Sequence, residues 1–431
     1  MKTGTLLFTL FISTLLQAST VFAGDPLVSI KKDVSGYRLY NRGKPYFIQG
    51  AGGYSHFDRL QAIGGNSVRL WSANGVAPYL DQAHALGLTV TLGLDMGQER
   101  TGFNYNDEQA VQKQYDQVCA EVLKYKDHPA LLVWAVGNEL DQFAYNYKVW
   151  DAVEKVVQFI HKNDPNHPVT TMLAGVPPQH IKEIITRVPD LDLLAINAFK
   201  DLPYIEKKIS DAGWTGPYMI GEWGPDGYWE SPMLPWGTFI EQTSTEKTAA
   251  CEARYKTAIE GHRNRCLGAY VYYWGTKQAR THTLLSLFLD GGQEYGVQDM
   301  LMRQWTGKDS PKTAPTTGAL TIEGQDVLKG CVVKKGSYLT ASITAKDREQ
   351  LVYRWELYEE SKEKKEGGDT EAQPPKVDAR FDGLSDGRVL FQAPDRPGAY
   401  RLFVYIYDGT GRVATANAPF FVGEMAISQN P

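Results

Sequence analysis

The sequence predicts an α/β chain: a (β/α)8 TIM barrel followed by a smaller all-β immunoglobulin-like sandwich. Three observations lead there. Between residues 46 and 274 short apolar runs alternate with amphipathic helical stretches, the signature of βα units. Two of those runs end in a glutamate, Glu139 and Glu222. Beyond residue 318 the pattern changes to short alternating strands separated by turns.

In chain order, residues 1–23 carry Lys2, an apolar core from Leu6 to Leu16 and the small-residue end Val21-Phe22-Ala23. That is the layout of a secretory signal peptide, so the mature chain is expected to start near Gly24 and to be exported, to the periplasm or the extracellular space. No later run approaches the roughly 20 apolar residues of a membrane span. Forty-five basic and fifty acidic residues, in no long block of either sign, argue against nucleic acid or an anionic membrane as partner. Cys119, Cys251, Cys266 and Cys331 match no metal-binding spacing and are expected to be buried thiols. No metal or cofactor is expected, and the chain is read as a monomer.

From residue 27 an alternating stretch with the turn Asn41-Arg42-Gly43-Lys44-Pro45 predicts a hairpin. The eight barrel strands are expected at Tyr46–Gly50, Ser67–Trp71, Thr89–Leu94, Leu131–Val136, Val169–Leu173, Leu193–Asn197, Tyr218–Gly221 and Gly268–Trp274. Helical spacing of Val111, Tyr115, Val118, Cys119 and Val122 predicts a helix over Asp107–Tyr125, and a second is expected over Tyr147–His161. A doubly wound sheet is the alternative, but no Gly-rich phosphate loop follows the first strand. The barrel domain is therefore placed at 24–305. Residues 306–317, rich in Thr, Pro, Lys and Gly, read as a linker, 318–424 as the sandwich and 425–431 as a tail. Within the sandwich Trp355 is expected in the core and Glu359–Pro375 as a mobile loop. A structural role for this domain is preferred to carbohydrate binding.

Residues just past each barrel strand converge on one mouth. On or just past the strand ends stand Tyr54, His56, Arg69, Trp71, Asp95, Asn138, Glu139, Asn197, Glu222, Trp223 and Trp274. Glutamates ending the fourth and seventh strands face each other across that mouth. A retaining glycosidase needs such a pair about 5 to 5.5 Å apart, one a nucleophile and the other an acid and then a base. Glu139 has a second reading, as a cap of the following helix. The long loop after the seventh strand brings Trp223, Tyr228, Trp229 and Trp236, with Glu230 and Glu241, either as a sugar-stacking wall or as a self-packed loop. After the eighth strand Lys277, Gln278, Arg280 and His282 offer donors to sugar hydroxyls or to an acidic substituent.

The segments GGNSVRLW, WAVGNEL, IGEWGP and YVYYWG resemble the (β/α)8 retaining glycoside hydrolases of clan A, over about residues 35–300. That resemblance implies Glu139 as acid/base, Glu222 as nucleophile, Asn138 on the 2-hydroxyl of the reacting sugar, Arg69 supporting the nucleophile and Trp274 as the floor of the central sugar site. It implies a β-linked poly- or oligosaccharide substrate, a β-glucan first. A glucan transglycosylase is the nearest alternative, and a non-catalytic glycan-binding protein the alternative of another class. One departure stands out. Where the family often carries Tyr or His on the sixth strand, this chain has Phe199, so the hydroxyl donor to the nucleophile is left to Tyr204, Tyr272 or Tyr273.

Overall fold

The computed structural model describes residues 26–347, 350–363, 365–366 and 368–424. The segment 1–23, read as a signal peptide, and the tail 425–431 lie outside them. Strands β1 (Val28–Asp33), β2 (Gly36–Asn41) and β3 (Lys44–Tyr46) form an antiparallel meander. It plugs one end of the barrel, packing Val28 and Leu39 on the inward-facing Leu132, Met172, Ala195 and Met219.

The barrel strands are β4 (Ile48–Gly52), β5 (Ser67–Leu70), β6 (Thr89–Leu94), β7 (Leu131–Asn138), β8 (Val169–Ala174), β9 (Leu194–Asn197), β10 (Tyr218–Trp223) and β11 (Cys266–Tyr272). They close in the order β10-β11-β4-β5-β6-β7-β8-β9, every pair parallel. All eight predicted strands are present, and the open-sheet alternative is set aside by the closure. The first begins two residues later than expected and the last ends two earlier, because residues 44–46 pair with the hairpin and Tyr273 hydrogen-bonds to Leu285 outside the barrel.

The helices are α1 (Phe57–Ala62), α2 (Ala77–Ala85), α3 (Glu108–Tyr125), α4 (Lys148–Asn163), α5 (Pro178–Arg187), α6 (Ile205–Asp211), α7 (Ser244–Arg254) and α8 (Gly296–Thr306). Asp107 caps α3 by accepting from the amides of Gln109 and Ala110. The apolar faces of these helices and the outward side chains of the strands share one core. No described helix is long and apolar enough to cross a membrane. All four cysteines are buried and free.

The C-terminal strands are β12 (Thr316–Thr317), β13 (Thr321–Ile322), β14 (Cys331–Val333), β15 (Tyr338–Ser342), β16 (Ala345–Lys346), β17 (Val352–Glu359), β18 (Lys376–Val377), β19 (Phe381–Ser385), β20 (Arg388–Gln392), β21 (Gly398–Tyr407) and β22 (Val413–Val422). Two sheets, β13-β15-β20-β19 and β14-β22-β21-β17-β18, enclose a second core, and Trp355 packs at its margin, partly buried.

Two expectations change here. The segment after α8 is laid down rather than free: the Ala314 amide donates to Asp299 at 2.7 Å and the Thr317 amide to Thr245 Oγ1 at 2.8 Å. The β17–β18 connection, expected to be mobile, is tied to the barrel mouth. Arg100 makes two 3.1 Å bonds to the Asp369 carboxylate, and Tyr228 donates its hydroxyl to the Lys365 carbonyl at 2.9 Å. Charges of this loop find partners on the other domain.

Candidate active site

A cavity of about 860 Å3 opens at the carboxyl ends of the barrel strands, within the range of small-ligand sites. Both glutamates line it. Glu222 sits next to last in β10, where the alternation of the strand turns it inward and sends Trp223 outward. Glu139 follows β7 directly, after Gly137 (φ 75°) and Asn138, and itself takes φ 51°. A left-handed backbone at a non-glycine residue costs free energy, and here it aims the carboxyl back across the mouth. The Glu139 side chain accepts from Asn197 Nδ2 at 2.9 Å, and α4 does not begin until Lys148, so it does not cap that helix.

One guanidinium and one amide tie the two acids together. Arg69, 2% exposed, donates through Nη1 to Glu222 Oε1 at 2.9 Å and to Asn197 Oδ1 at 3.0 Å. The other face of the Asn197 amide then reaches Glu139. Arg69 Nη2 donates to Asn138 Oδ1, which turns the amide nitrogen of Asn138 away from the guanidinium. Gly221 keeps this cluster closed, since a Cβ there would stand 2.6 Å from Asn197 Oδ1.

The structure answers the gap left at Phe199. Trp71 Nε1 donates to Glu222 Oε1 at 2.9 Å, and the Trp71 ring lies 5.1 Å from the Arg69 guanidinium carbon. The indole therefore supplies a donor where a Tyr or His was expected. Tyr272 and Tyr273 line the cavity beside it, while Tyr204 is exposed and away from it.

Electrostatics separate the two carboxyls. The residue surface of Glu139 stays partly open to the cavity, but its carboxyl is ringed by protein. Burial first, and then the negative charge of Glu222, push it up to about 7. Glu222 meets two donors on one oxygen, one of them a cation. One carboxyl is thereby set up to carry a proton, while the other is held in place by its two donors.

Several predicted site residues lie elsewhere. Trp274 is 1% exposed: its amide donates to Gly52, its indole donates to the His56 carbonyl at 3.0 Å, and its ring meets Phe288 edge-on. The early end of β11 puts Tyr272 and Tyr273 at the mouth and folds Trp274 under the β4 loop. His56 stacks on Phe288 at 4.2 Å. Trp223 packs on Tyr255 in the helix layer, and Trp236 packs on Phe421 of the sandwich. Tyr228 lies under Arg280, whose guanidinium carbon is 4.3 Å from the ring centre. His282 pairs with the Tyr405 hydroxyl at 2.7 Å, in a buried setting that lowers its pKa. Glu241 is a buried anchor: against the upward push of burial, Lys247 and Arg401 hold it at about 2. Trp229 and Lys277 do line the cavity.

Tyr54, just past the first strand, lines it as expected; Gln98, Arg100 and Glu366 line it too, unforeseen. Gln98 donates to the Asn138 carbonyl at 2.8 Å, steadying the strand end that carries Glu139. Its place four residues past β6 was a usable signal; for Glu366, in the other domain, the sequence held none. Among the described residues no group of acids, histidines and cysteines is arranged to hold a metal.

Residues 79–229, which carry Asn138, Glu139 and Glu222, match the family model described as glycosyl hydrolases family 2, TIM barrel domain. The match supports a glycosidase barrel. No curated protein matches the chain. Among solved structures, a β-glucuronidase of Faecalibacterium prausnitzii aligns at 17% identity and TM-score 0.50, over 65% of this chain and 52% of that one. A family 2 β-galacturonidase of Eisenbergiella tayi bound to galacturonate aligns at 14% identity and TM-score 0.50, over 65% and 54%. A β-glucuronidase of Ruminococcus gnavus aligns at 13% and 0.50, over 65% and 52%. The chain thus spans about half the length of the structures it resembles, and the likeness is one of fold.

Proposed function

We propose that the protein is an exported retaining β-glycoside hydrolase acting on a neutral β-linked glycan, a β-glucan first. The observation that carries the proposal is the pair Glu139 and Glu222, linked through Asn197 and Arg69 at one cavity. Glu222 attacks the anomeric carbon while Glu139 gives its proton to the departing glycosidic oxygen. This leaves a glycosyl ester on Glu222 and an ionised Glu139. Glu139 then takes a proton from water, the hydroxide attacks the anomeric carbon, and the Glu222 carboxylate departs, for net retention. Trp71 and Arg69 hold the attacking carboxylate in place.

The neutral sugar follows from the charge of the walls. Among the described residues Asp95, Asp201, Glu230 and Glu366 line the cavity beside the Arg69-paired Glu222, against Arg100 and Lys277. Both cations are engaged, Arg100 by Asp369 and Lys277 by the Gly368 carbonyl at 3.0 Å. A uronate, the sugar class in the names of the aligned structures, would enter a field of like charge. Stacking faces at Trp71, Trp229, Tyr272 and Tyr273 suit uncharged pyranose rings. Export rests on the signal-like segment at residues 1–23.

The test sets wild type beside Glu139→Ala and Glu222→Ala on β-1,2-, β-1,3-, β-1,4- and β-1,6-glucans and on aryl β-glucosides and β-glucuronides. Glucoside cleavage by wild type and formation of the α-glycosyl azide by Glu222→Ala in azide are expected. Preference for the glucuronide would overturn the neutral-sugar assignment. A wild type inert on every substrate would overturn the enzyme assignment.

A further inference from the structure

The sandwich does more than pack beside the barrel, because its β17–β18 connection reaches the catalytic cavity and lines it with Glu366 and Gly368. Its anchors come from opposite rims. Arg100, on the loop after β6, forms the paired bonds to Asp369. Lys277 and Arg280, after β11, bond the carbonyls of Gly368 and Lys365 at 3.0 Å each, and Arg280 lies 3.5 Å from the Glu371 carboxylate. Tyr228, after β10, also reaches the strap, 3.2 Å from Glu366. In the closed barrel β6 stands four strands from β10, which is the opposite side of an eight-stranded ring. A segment fastened at both places crosses the mouth.

We infer that this strap makes the site a dead end, so that the enzyme works on the terminus of a glycan chain, with Glu366 accepting hydroxyl hydrogen bonds from the sugar that abuts it. The inference rests on the glycosidase reading. A glycan lying across an open cleft would need free space at both rims, and here the protein's own backbone occupies that path. The closing groups include fixed charges paired across the two domains, Arg100 with Asp369 and Arg280 with Glu371. The wall is therefore part of the folded barrel-sandwich unit, and the C-terminal domain sets which bond is cut.

The experiment uses the full chain and a reducing-end-labelled β-gluco-oligosaccharide series of the linkage cleaved by wild type, with cleavage positions read by mass. In one variant residues 362–373 are replaced by a short Gly/Asn turn, which the pairing of Tyr358 with Lys376 leaves room to close. A second, Asp369→Asn, loosens the anchor without deleting the strap, and Glu366→Gln removes the acceptor charge. Circular dichroism and thermal unfolding check that each is folded. Wild type is expected to release one product size from one end, and the turn variant to raise cleavage at internal bonds by about tenfold. Asp369→Asn should move the same way to a smaller extent, and Glu366→Gln should raise KM more than it lowers kcat. Internal cleavage by wild type, or a pattern unchanged in both strap variants, overturns the inference while leaving the glycosidase reading intact. A wild type that cleaves no glycoside at all overturns that reading, and the inference with it.

Discussion

Trp71 shows how one residue can be visible in a sequence while its task is not. Its place at the end of an apolar strand marked it for the mouth, yet only the fold shows its indole N–H on the nucleophile candidate. Trp71→Phe keeps the ring and removes the donor, so kcat should fall by about 10²-fold with KM little changed, as read in steady-state kinetics. Glu139 makes a pH prediction. As an acid raised to about 7 it must be protonated to act, so kcat/KM should fall as pH rises through about 7. Removing the facing charge with Glu222→Gln should lower the Glu139 titration, seen by carboxyl-carbon NMR; an unmoved titration would contradict the coupling. The same shift bears on stability. A carboxyl raised in the folded state costs stability as pH rises from the usual carboxylate range to about 7, so Glu139→Gln should unfold at a higher temperature than wild type at pH 8. The difference should be at most about 3 kcal/mol. Both glutamates, Arg69 and Asn197 were legible because each ends or lines an apolar strand. Trp274 and Trp223 misled because one residue of alternation, or two of strand length, decides whether a tryptophan faces the mouth or the core.

At the scale of elements, apolar runs marked every barrel strand, and the helical spacing of Val111, Tyr115, Val118, Cys119 and Val122 marked α3. Loops were the weak point, since their partners lie far off in sequence. The loop after β10 divides its aromatic residues between two surfaces, Trp229 to the cavity and Trp236 to β22. The Glu359–Pro375 stretch read as a mobile loop because its ion-pair partners, Arg100 and Arg280, are contributed by the barrel. Arg401 carries the clearest element-scale prediction. It is 1% exposed and donates to the Phe239 carbonyl of the barrel, to Asn417 and to Glu360. Arg401→Met leaves Glu360 without its cation and should cost about 3–5 kcal/mol, measured by denaturant unfolding. A loss well under that would mean the contact is not needed to dock β21.

For the whole molecule, barrel and sandwich are stitched together at several points. Glu294 joins Arg59 to Arg412, Thr415 bonds Ser244 at 2.9 Å, and Trp236 covers Phe421. Two cores were foreseen from the change of pattern near residue 318; their dependence on each other was not, because no local signal marks a surface that will be covered. A single calorimetric transition is expected, and two well-separated ones would show that the domains unfold independently. The account as a whole turns on whether Glu222 and Glu139 perform a double displacement. The most direct measurement is proton NMR of the first sugar released from a β-glycoside by wild type, before mutarotation. The β-anomer is the predicted product, and the α-anomer would contradict the mechanism derived for this pair.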